Sequence, residues 1–271
     1  MVTSLASSLV LLHGCMLVYA KDSWYDRFVH RLIRALHANN TEWKHFEHFP
    51  ASPYTGLTLQ TADDLLGLKQ QIEDIIDRGI DGDVYELGAW RGGTSIFMFG
   101  VMHAYAYWKK GSSENRRFYV FDSFQGFPPE HLEQVPELES PFFYEVPMQF
   151  VVHSFQRLFV EKIQQFVHDA SQVRFVRGFF EQSVPSHIVP SPIALLRLDG
   201  DMYSSTHVAL EHLYPRVASG GWVIVDDYDW QPYAMTPGTF LARHAVDDFR
   251  KSQQISEPMV QYGGIWAWCK A

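Results

Sequence analysis

Two stretches about 25 residues apart decide the fold, Leu195-Leu-Arg-Leu-Asp199-Gly-Asp201-Met-Tyr203 and Gly220-Gly-Trp-Val-Ile-Val-Asp226-Asp227-Tyr228. Each is a short apolar run that ends in carboxylates, which is typical of a buried parallel strand that delivers polar side chains to one edge of a sheet. Residues 205–214 have the apolar spacing of a helix, and Gly220-Gly221 is the predicted stop. The pattern predicts a β-α-β unit in an α/β fold, with four carboxylates side by side: Asp199, Asp201, Asp226 and Asp227.

Four clustered carboxylates repel one another at neutral pH unless a cation neutralises them. Ligand sets made only of oxygen favour a hard ion such as Mg²⁺, Mn²⁺ or Ca²⁺ over zinc. A single Asp more often caps a helix or a turn. A paired set at two successive strand ends favours an active site, so we predict a site for Mg²⁺ or Mn²⁺.

Composition limits the other functions. At 271 residues the chain is long enough for one α/β domain with a sizeable core. The formal net charge is −9 and there is no basic run, so the electrostatic pattern of a nucleic-acid binder is missing. Cys15 and Cys269 show neither metal-ligand spacing nor a disulfide framework.

The first twenty residues differ from the rest, because Val2 to Ala20 is mostly apolar and uncharged. Val18-Tyr-Ala20 resembles a signal-peptidase site, but a basic start is missing. A cleaved signal or an anchor helix is favoured no more than an amphipathic extension packed on the domain. Localisation therefore stays open between the cytoplasm and the secretory pathway or endoplasmic reticulum, with membrane contact only for an anchor. We predict an extension (1–20), a helical N-terminal segment or lid (21–80) and a catalytic domain (81–271).

The N-terminal half contains a candidate cofactor site. Residues 22–37 predict an amphipathic helix, residues 39–61 a lid or a strap, and Thr61 caps a helix that runs to about Arg78. A strand, a glycine-rich turn and a helix over 96–108 then follow, and glycines and helix-start N–H groups there can approach a ligand. Neither a P-loop nor a full G-x-G-x-x-G fingerprint is present. Asp122, about 34 residues after Gly88, ends the next strand, which is the order expected for an adenosine-containing cofactor.

The C-terminal half gives weaker signals. Residues 149–167 and 238–250 predict helices, and residues 263–269 predict a strand inside the sheet. Phe179 and Phe180 follow a predicted strand, where they fit an adenine ring and core packing equally well.

Taken together, the motifs resemble those of the macrocin O-methyltransferase family. They are Glu86-Leu-Gly-Ala-Trp-Arg-Gly-Gly93, Asp122-Ser-Phe-Gln-Gly-Phe-Pro128, Leu196-Arg-Leu-Asp-Gly-Asp-Met-Tyr203, residues 214–228 and residues 245–250, in the family's order over roughly residues 22–271. The resemblance implies a Rossmann-like class I S-adenosylmethionine-dependent methyltransferase fold. Such a fold has a mostly parallel sheet with helices on both faces and here an N-terminal helical lid. It also implies Mg²⁺-dependent methylation of a hydroxyl.

The resemblance also implies roles for individual residues. Asp199, Asp226 and Asp227 match the metal ligands, and Asp199 also matches the general base. The expected S-adenosylmethionine-binding set is Glu86, Gly88, Ala89, Thr94, Asp122, Ser123, Gly178, Phe179 and Phe180. Met202 stands where catechol methyltransferases have a lysine base, which disfavours that mechanism. Family analogy suggests a homo-oligomer.

The predicted function is a metal-dependent O-methyltransferase that acts on a hydroxyl of a glycoside or another small secondary metabolite. The alternative is a catalytically inactive protein that keeps the fold and the cofactor site. A metal-dependent hydrolase or a nicotinamide enzyme ranks last, because neither G-x-S-x-G nor a full dinucleotide fingerprint is present.

Overall fold

A seven-stranded sheet lies at the centre of the computed structural model, which describes residues 23–38, 56–111, 114–128, 146–164, 170–229 and 242–271. The strand order is β3-β2-β1-β4-β5-β7-β6. Strands β1 to β5 pair in parallel, and β7 runs antiparallel to both β5 and β6. The strands are β1 (Asp83–Leu87), β2 (Phe118–Asp122), β3 (Val173–Arg177), β4 (Ile193–Leu198), β5 (Val217–Val225), β6 (Val260–Tyr262) and β7 (Ile265–Cys269).

Helices cover both faces of this sheet. They are α1 (Trp24–His37), α2 (Ala62–Asp77), α3 (Gly93–Lys110), α4 (Met148–Leu158), α5 (Phe180–Ser186), α6 (Tyr203–Leu213) and α7 (Ala242–Ser252). Alternate strand residues point to opposite faces, so Val84 packs with α1 to α4 while Tyr85 packs with α5 to α7. Burial on both faces explains why the strands are apolar almost throughout, and it confirms the predicted fold class.

Most predicted elements are present. Helix α1 follows the predicted amphipathic pattern, and α2 begins with a capping box in which Thr61 and Asp64 bond to each other's backbone. The final strand β7 lies between β5 and β6, inside the sheet as predicted.

The prediction that Gly220-Gly221 stops a helix is wrong. Helix α6 ends at Leu213 and a 3-10 turn over Tyr214–Arg216 follows, since Pro215 cannot continue the helix. Both glycines lie inside β5, where the pairing with β4 shifts register. Gly220 has a φ of 80°, and its N–H donates to the carbonyl of Lys270 at 2.7 Å.

Several helix boundaries differ from the predictions. Helix α3 begins at Gly93, three residues early, and ends at Lys110, two residues late. Helix α4 ends at Leu158 and continues as a π-helical turn over Phe159–Ile163, and residues 165–167 of its predicted extent lie outside the described residues. The described part of the helix predicted from residue 238 begins at Ala242.

The N-terminal predictions are covered only in part. The extension over 1–20 and most of the segment over 39–61 lie outside the described residues. None of the helices in the described ranges is long and apolar enough to cross a membrane.

Candidate functional site

A cavity of about 600 Å³ opens at the carboxyl ends of β1, β2, β4 and β5. Strand order reverses between β1 and β4, and ligands of open α/β sheets bind at such a point. The wall contains ten of the twelve predicted site residues: Gly88, Ala89, Thr94, Asp122, Ser123, Phe179, Phe180, Asp199, Asp226 and Asp227. Parallel pairing therefore brings together motifs that are separated by up to 139 positions in the sequence.

The glycine-rich turn is shaped by close approaches between backbone segments. Gly88 has a φ of 95°, and a Cβ there would overlap the carbonyl of Asp199. A Cβ on Gly93 would likewise overlap Leu57, whose carbonyl accepts from the Gly93 N–H at 3.0 Å. The Gly93 N–H is therefore taken by the segment before α2, and ligand binding by the other helix-start N–H groups stays a prediction.

Asp122 organises the cofactor end of the cavity. Its Oδ2 accepts from the N–H groups of Ala89 at 2.8 Å and Trp90 at 3.2 Å, and its Oδ1 accepts from that of Phe124 at 2.7 Å. Burial raises the pKa of Asp122, while these three backbone donors favour the charged form. Asp122 thus ties the end of β2 to the glycine-rich turn of β1, and its remaining acceptor capacity faces the cavity.

The predicted acid cluster is present at the other end. Among the described residues, Asp199, Asp226 and Asp227 each offer a carboxylate oxygen, and these oxygens lie within 4.8 Å of one another. Burial raises the pKa of Asp199 and of Asp227 well above the usual range. Burial, followed by the charge of Asp199, also raises the pKa of Asp201 to about 7. Ionising all of these carboxyl groups at once is therefore unfavourable unless a cation is bound nearby.

Arg197 is the internal counter-charge that the sequence analysis missed. Its side chain is fully buried beneath the acid cluster, where Nη1 donates to Glu86 Oε1 at 2.8 Å. Nη2 lies 2.8 Å from Asp199 Oδ2 and 2.9 Å from Asp226 Oδ1. A buried charge must be paired, so an arginine inside the apolar run Ile193–Leu198 was the signal that could have revealed this role.

Two predicted cofactor residues lie outside the cavity wall. Glu86 is fully buried, and its carboxylate accepts hydrogen bonds from Arg197 and from the hydroxyl of Ser95. It therefore positions Arg197 and does not line the cavity itself. Gly178 has a φ of 138°, and its carbonyl accepts from the hydroxyl of Ser183 at 3.2 Å.

The two phenylalanines differ in their surroundings. Phe180 is 8% exposed within the apolar cluster of α5 to α7, and its ring packs under Gly200, so it serves both the core and the wall. Phe179 is more exposed and lines the cavity before α5. Stacking of either ring on adenine stays a prediction.

The segment Leu57–Gln60, part of the predicted lid or strap, also lines the cavity and links its two ends. Thr58 Oγ1 lies 2.9 Å from Thr94 Oγ1 at the glycine-rich turn, and Gln60 Nε2 donates to Asp226 Oδ2 at 2.5 Å. These contacts join positions as many as 166 residues apart, and no local pattern signals them.

The donor chemistry fits both predicted ligands. The three carboxylates suit a hard divalent cation, because Arg197 engages only one oxygen of Asp199 and one of Asp226. The other oxygen of Asp226 accepts from Gln60, which would have to release it to a cation. The glycine-rich turn and Asp122 suit the methionine and ribose portions of S-adenosylmethionine.

Comparison with known proteins finds relatives that are O-methyltransferases. The sequence model of the family described as Macrocin-O-methyltransferase (TylF) matches residues 19–270. The chain is 33% identical over 222 residues to 8-demethyl-8-(2,3-dimethoxy-alpha-L-rhamnosyl)-tetracenomycin-C 4'-O-methyltransferase of Streptomyces olivaceus. That match covers 80% of this chain and 75% of the relative. This chain is also 31% identical to demethyldecarbamoylnovobiocin O-methyltransferase of Streptomyces niveus, and the match covers 78% of this chain and 73% of that protein.

Solved structures show the same fold. The structure of the O-methyltransferase NovP superimposes with a TM-score of 0.70 at 26% identity, covering 91% of this chain and 99% of NovP. The fold is thus that of a known O-methyltransferase.

Proposed function

The chain belongs to the macrocin O-methyltransferase family of S-adenosylmethionine-dependent enzymes, and on that premise we propose that it methylates a hydroxyl of a glycoside or another small secondary metabolite with the help of a divalent cation. The observation that carries this proposal is the position of the acid cluster. Asp199, Asp226 and Asp227 line the same cavity as Gly88 and Asp122, so a donor and an acceptor can meet there.

The two ends of the cavity have different proposed roles, with the cofactor bound at one end and the acceptor activated at the other. Thr94 and the turn at Gly88 would hold the methionine end of S-adenosylmethionine, and Asp122 would accept from ribose hydroxyls. When bound, this cofactor supplies an electrophilic methyl group. The walls exclude bulk water and fix the angle of approach, which contributes much of the rate of such a transfer.

Asp199 is the proposed general base. One of its oxygens is held by Arg197, and because Asp199 lines the cavity, its other oxygen would take the acceptor's hydroxyl proton. S-adenosylmethionine would supply the methyl group of the methyl ether and leave as S-adenosylhomocysteine, while the hydroxyl proton would stay on Asp199.

Asp199, Asp226 and Asp227 would also hold the cation, with Mg²⁺ or Mn²⁺ as the candidates. Such an ion would bind the acceptor oxygen and favour its deprotonated form. Gln60 would adjust on binding, because its amide occupies Asp226 Oδ2.

The acceptor class rests on the relatives and on the wall. One relative is named for a 4'-O-methylation of a rhamnosyl compound, the other for demethyldecarbamoylnovobiocin. Leu59, Trp90 and Phe127 give the cavity an apolar wall beside its acids. A wall of this kind suits a molecule that joins a polar sugar to an apolar aglycone. A homo-oligomer stays a prediction.

The deciding experiment is calorimetric titration with S-adenosylhomocysteine, with and without Mg²⁺, followed by turnover assays on glycoside acceptors. We expect Asp199→Asn to bind S-adenosylhomocysteine normally and to lose about 10²- to 10⁴-fold in kcat, as for the loss of a general base. Asp81→Asn, at an exposed position before β1, is the matched control. Undiminished turnover in Asp199→Asn, or turnover unaffected by chelation of the metal, would contradict the metal and base assignment.

A further inference from the structure

The exposed face of α1 carries almost only basic side chains. Its exposed residues are Trp24, Arg27, His30, Arg31, Arg34 and His37. Asp26 is the single acid of the helix, and it is half-buried and bonded to the hydroxyl of Ser23 at 2.6 Å. A concentration of arginine on one helix face stands out in a chain of net charge −9, and it creates a local positive potential that attracts anions.

A groove of about 490 Å³ runs beside this face. Four basic residues line it, together with Ile33, Ala62 and Leu66: Arg27, His30, Arg31 and Arg34. Their spacing of three and four residues places them along one side of the helix. The groove thus combines cationic side chains with an apolar floor.

Aromatic side chains are exposed where α1 begins. Trp24 is 36% exposed, and its ring centroid lies 6.3 Å from that of Tyr107, which is 45% exposed. Trp108 is 44% exposed and stacks on Tyr25 at 5.6 Å. The exposed residues Lys109 and Lys110 follow at the end of α3. Tryptophan and tyrosine beside basic residues are the side chains enriched at the boundary between lipid and water.

The sequence before α1 gives this surface its context. Residues 2–20 contain no Asp, Glu, Lys or Arg, and they end four positions before Trp24. Four residues span at most about 14 Å, so Trp24 lies within that distance of the end of the uncharged segment. A membrane surface that binds this segment would therefore also be within reach of the aromatic end of α1.

We propose that the exposed face of α1, with Tyr107, Trp108, Lys109 and Lys110 at the end of α3, docks on the surface of an anionic phospholipid bilayer. Arginine and lysine side chains contact headgroup phosphates, and the aromatic rings lie at the level of the headgroups. A second copy of this chain is a poorer partner, because face-to-face pairing of α1 would oppose like charges. The proposal is independent of the methyl acceptor.

The test is cosedimentation of the full chain with two kinds of vesicle, phosphatidylcholine alone and an equal mixture of phosphatidylcholine and phosphatidylserine. We expect stronger binding to the mixed vesicles, weakened by salt. The double variant Arg31→Glu with Arg34→Glu should reduce the partition coefficient about tenfold or more. Arg174→Glu with Lys251→Glu is the matched control, since both positions are exposed on other elements and the change in net charge is identical.

Folding and cofactor binding are checked separately. All variants should keep the affinity for S-adenosylhomocysteine, because these residues lie outside the cavity. The charge variants should also keep the melting temperature, whereas Tyr107→Ser with Trp108→Ser should lower it by removing the stacking of Trp108 on Tyr25. Tyr107→Ser with Trp108→Ser should weaken vesicle binding without removing its salt dependence.

Three results would overturn the proposal. One is equal binding of the native chain and the Arg31/Arg34 variant, and another is equal binding to both kinds of vesicle. The third is the absence of vesicle binding. If size-exclusion chromatography then shows a dimer that the Arg31/Arg34 variant abolishes, the basic face binds a second copy of the chain instead of a membrane.

Discussion

At the proposed cofactor end of the cavity Asp122 is held by three backbone N–H groups, whereas at the proposed metal end Asp199 and Asp226 are held by the buried guanidinium of Arg197. Both ends present carboxylates at strand termini. The first is fixed by backbone hydrogen bonds in and around the glycine-rich turn. The second depends on one charge placed beneath several others. The two ends should therefore respond differently to mutation, the first through cofactor affinity and the second through stability and chemistry.

The largest effect is expected from Arg197→Met, which breaks the metal end. Glu86, Asp199 and Asp226 would lose their shared counter-charge, and removing one partner of a buried ion pair costs about 3–5 kcal/mol of folding free energy. Urea denaturation measures this loss.

Arg243→Met is the control for that measurement. Arg243 is exposed and lies 3.5 Å from Asp229, so its replacement should change stability by about 0.5 kcal/mol or less. A loss no larger for Arg197→Met than for Arg243→Met would show that the acid cluster is stable without its internal cation.

A smaller effect is expected at the cofactor end from Asp122→Ala. The change removes the acceptor of three N–H groups and the proposed ribose contact, so the Kd for S-adenosylhomocysteine should rise about tenfold to a hundredfold. Because the acid cluster is untouched, kcat at saturating donor should change far less than KM. Calorimetry with Asp81→Ala as the control measures the affinity, and an unchanged Kd would remove Asp122 from the cofactor site.

The last prediction concerns pH and tests whether acid sensitivity arises away from both ends of the cavity. His103 of α3 is fully buried beside Phe99, and burial lowers its pKa to about 3. The unfolded chain binds a proton near pH 6.5 and the folded chain does not. His103 should therefore cost about 1.4 kcal/mol of stability for each pH unit below about 6.5, down to about pH 3.

His103→Leu should remove that contribution and flatten the dependence of stability on pH between about 6.5 and 5. His212→Leu, at an exposed position of α6, should leave the curve of the native chain unchanged. Thermal melts over this range measure both. Parallel curves for the native chain and His103→Leu would place the acid sensitivity elsewhere.

Local sequence patterns predicted much of the fold, and they predicted the residue types at both ends of the cavity. Apolar runs that end in carboxylates identified β4 and β5 and predicted that Asp199, Asp226 and Asp227 converge, which the structure confirms. The glycine-rich turn and Asp122 were predicted to serve one cofactor site, and the structure adds a direct hydrogen bond between them from Ala89 N–H to Asp122. Gly220-Gly221 was misassigned because a glycine pair signals a helix stop and a β-bulge equally well, and only the pairing with β4 distinguishes them.

The rest depends on contacts across the chain. Arg197 was visible as a charge in an apolar strand, but its role requires Glu86 from β1 and Asp226 from β5. Gln60 reaches Asp226 only because the segment before α2 crosses the glycine-rich turn at Gly93.

The sequence by itself determined the elements, their order and the residue types at the strand ends, because backbone preference and apolar periodicity act over a few neighbouring residues. The tertiary structure alone decided which acids are paired with a buried cation, which glycines make room for other parts of the protein, and which surface of α1 remains exposed. Those outcomes depend on burial and electrostatic distance between segments that are remote in sequence, and both quantities are defined only after the chain has packed.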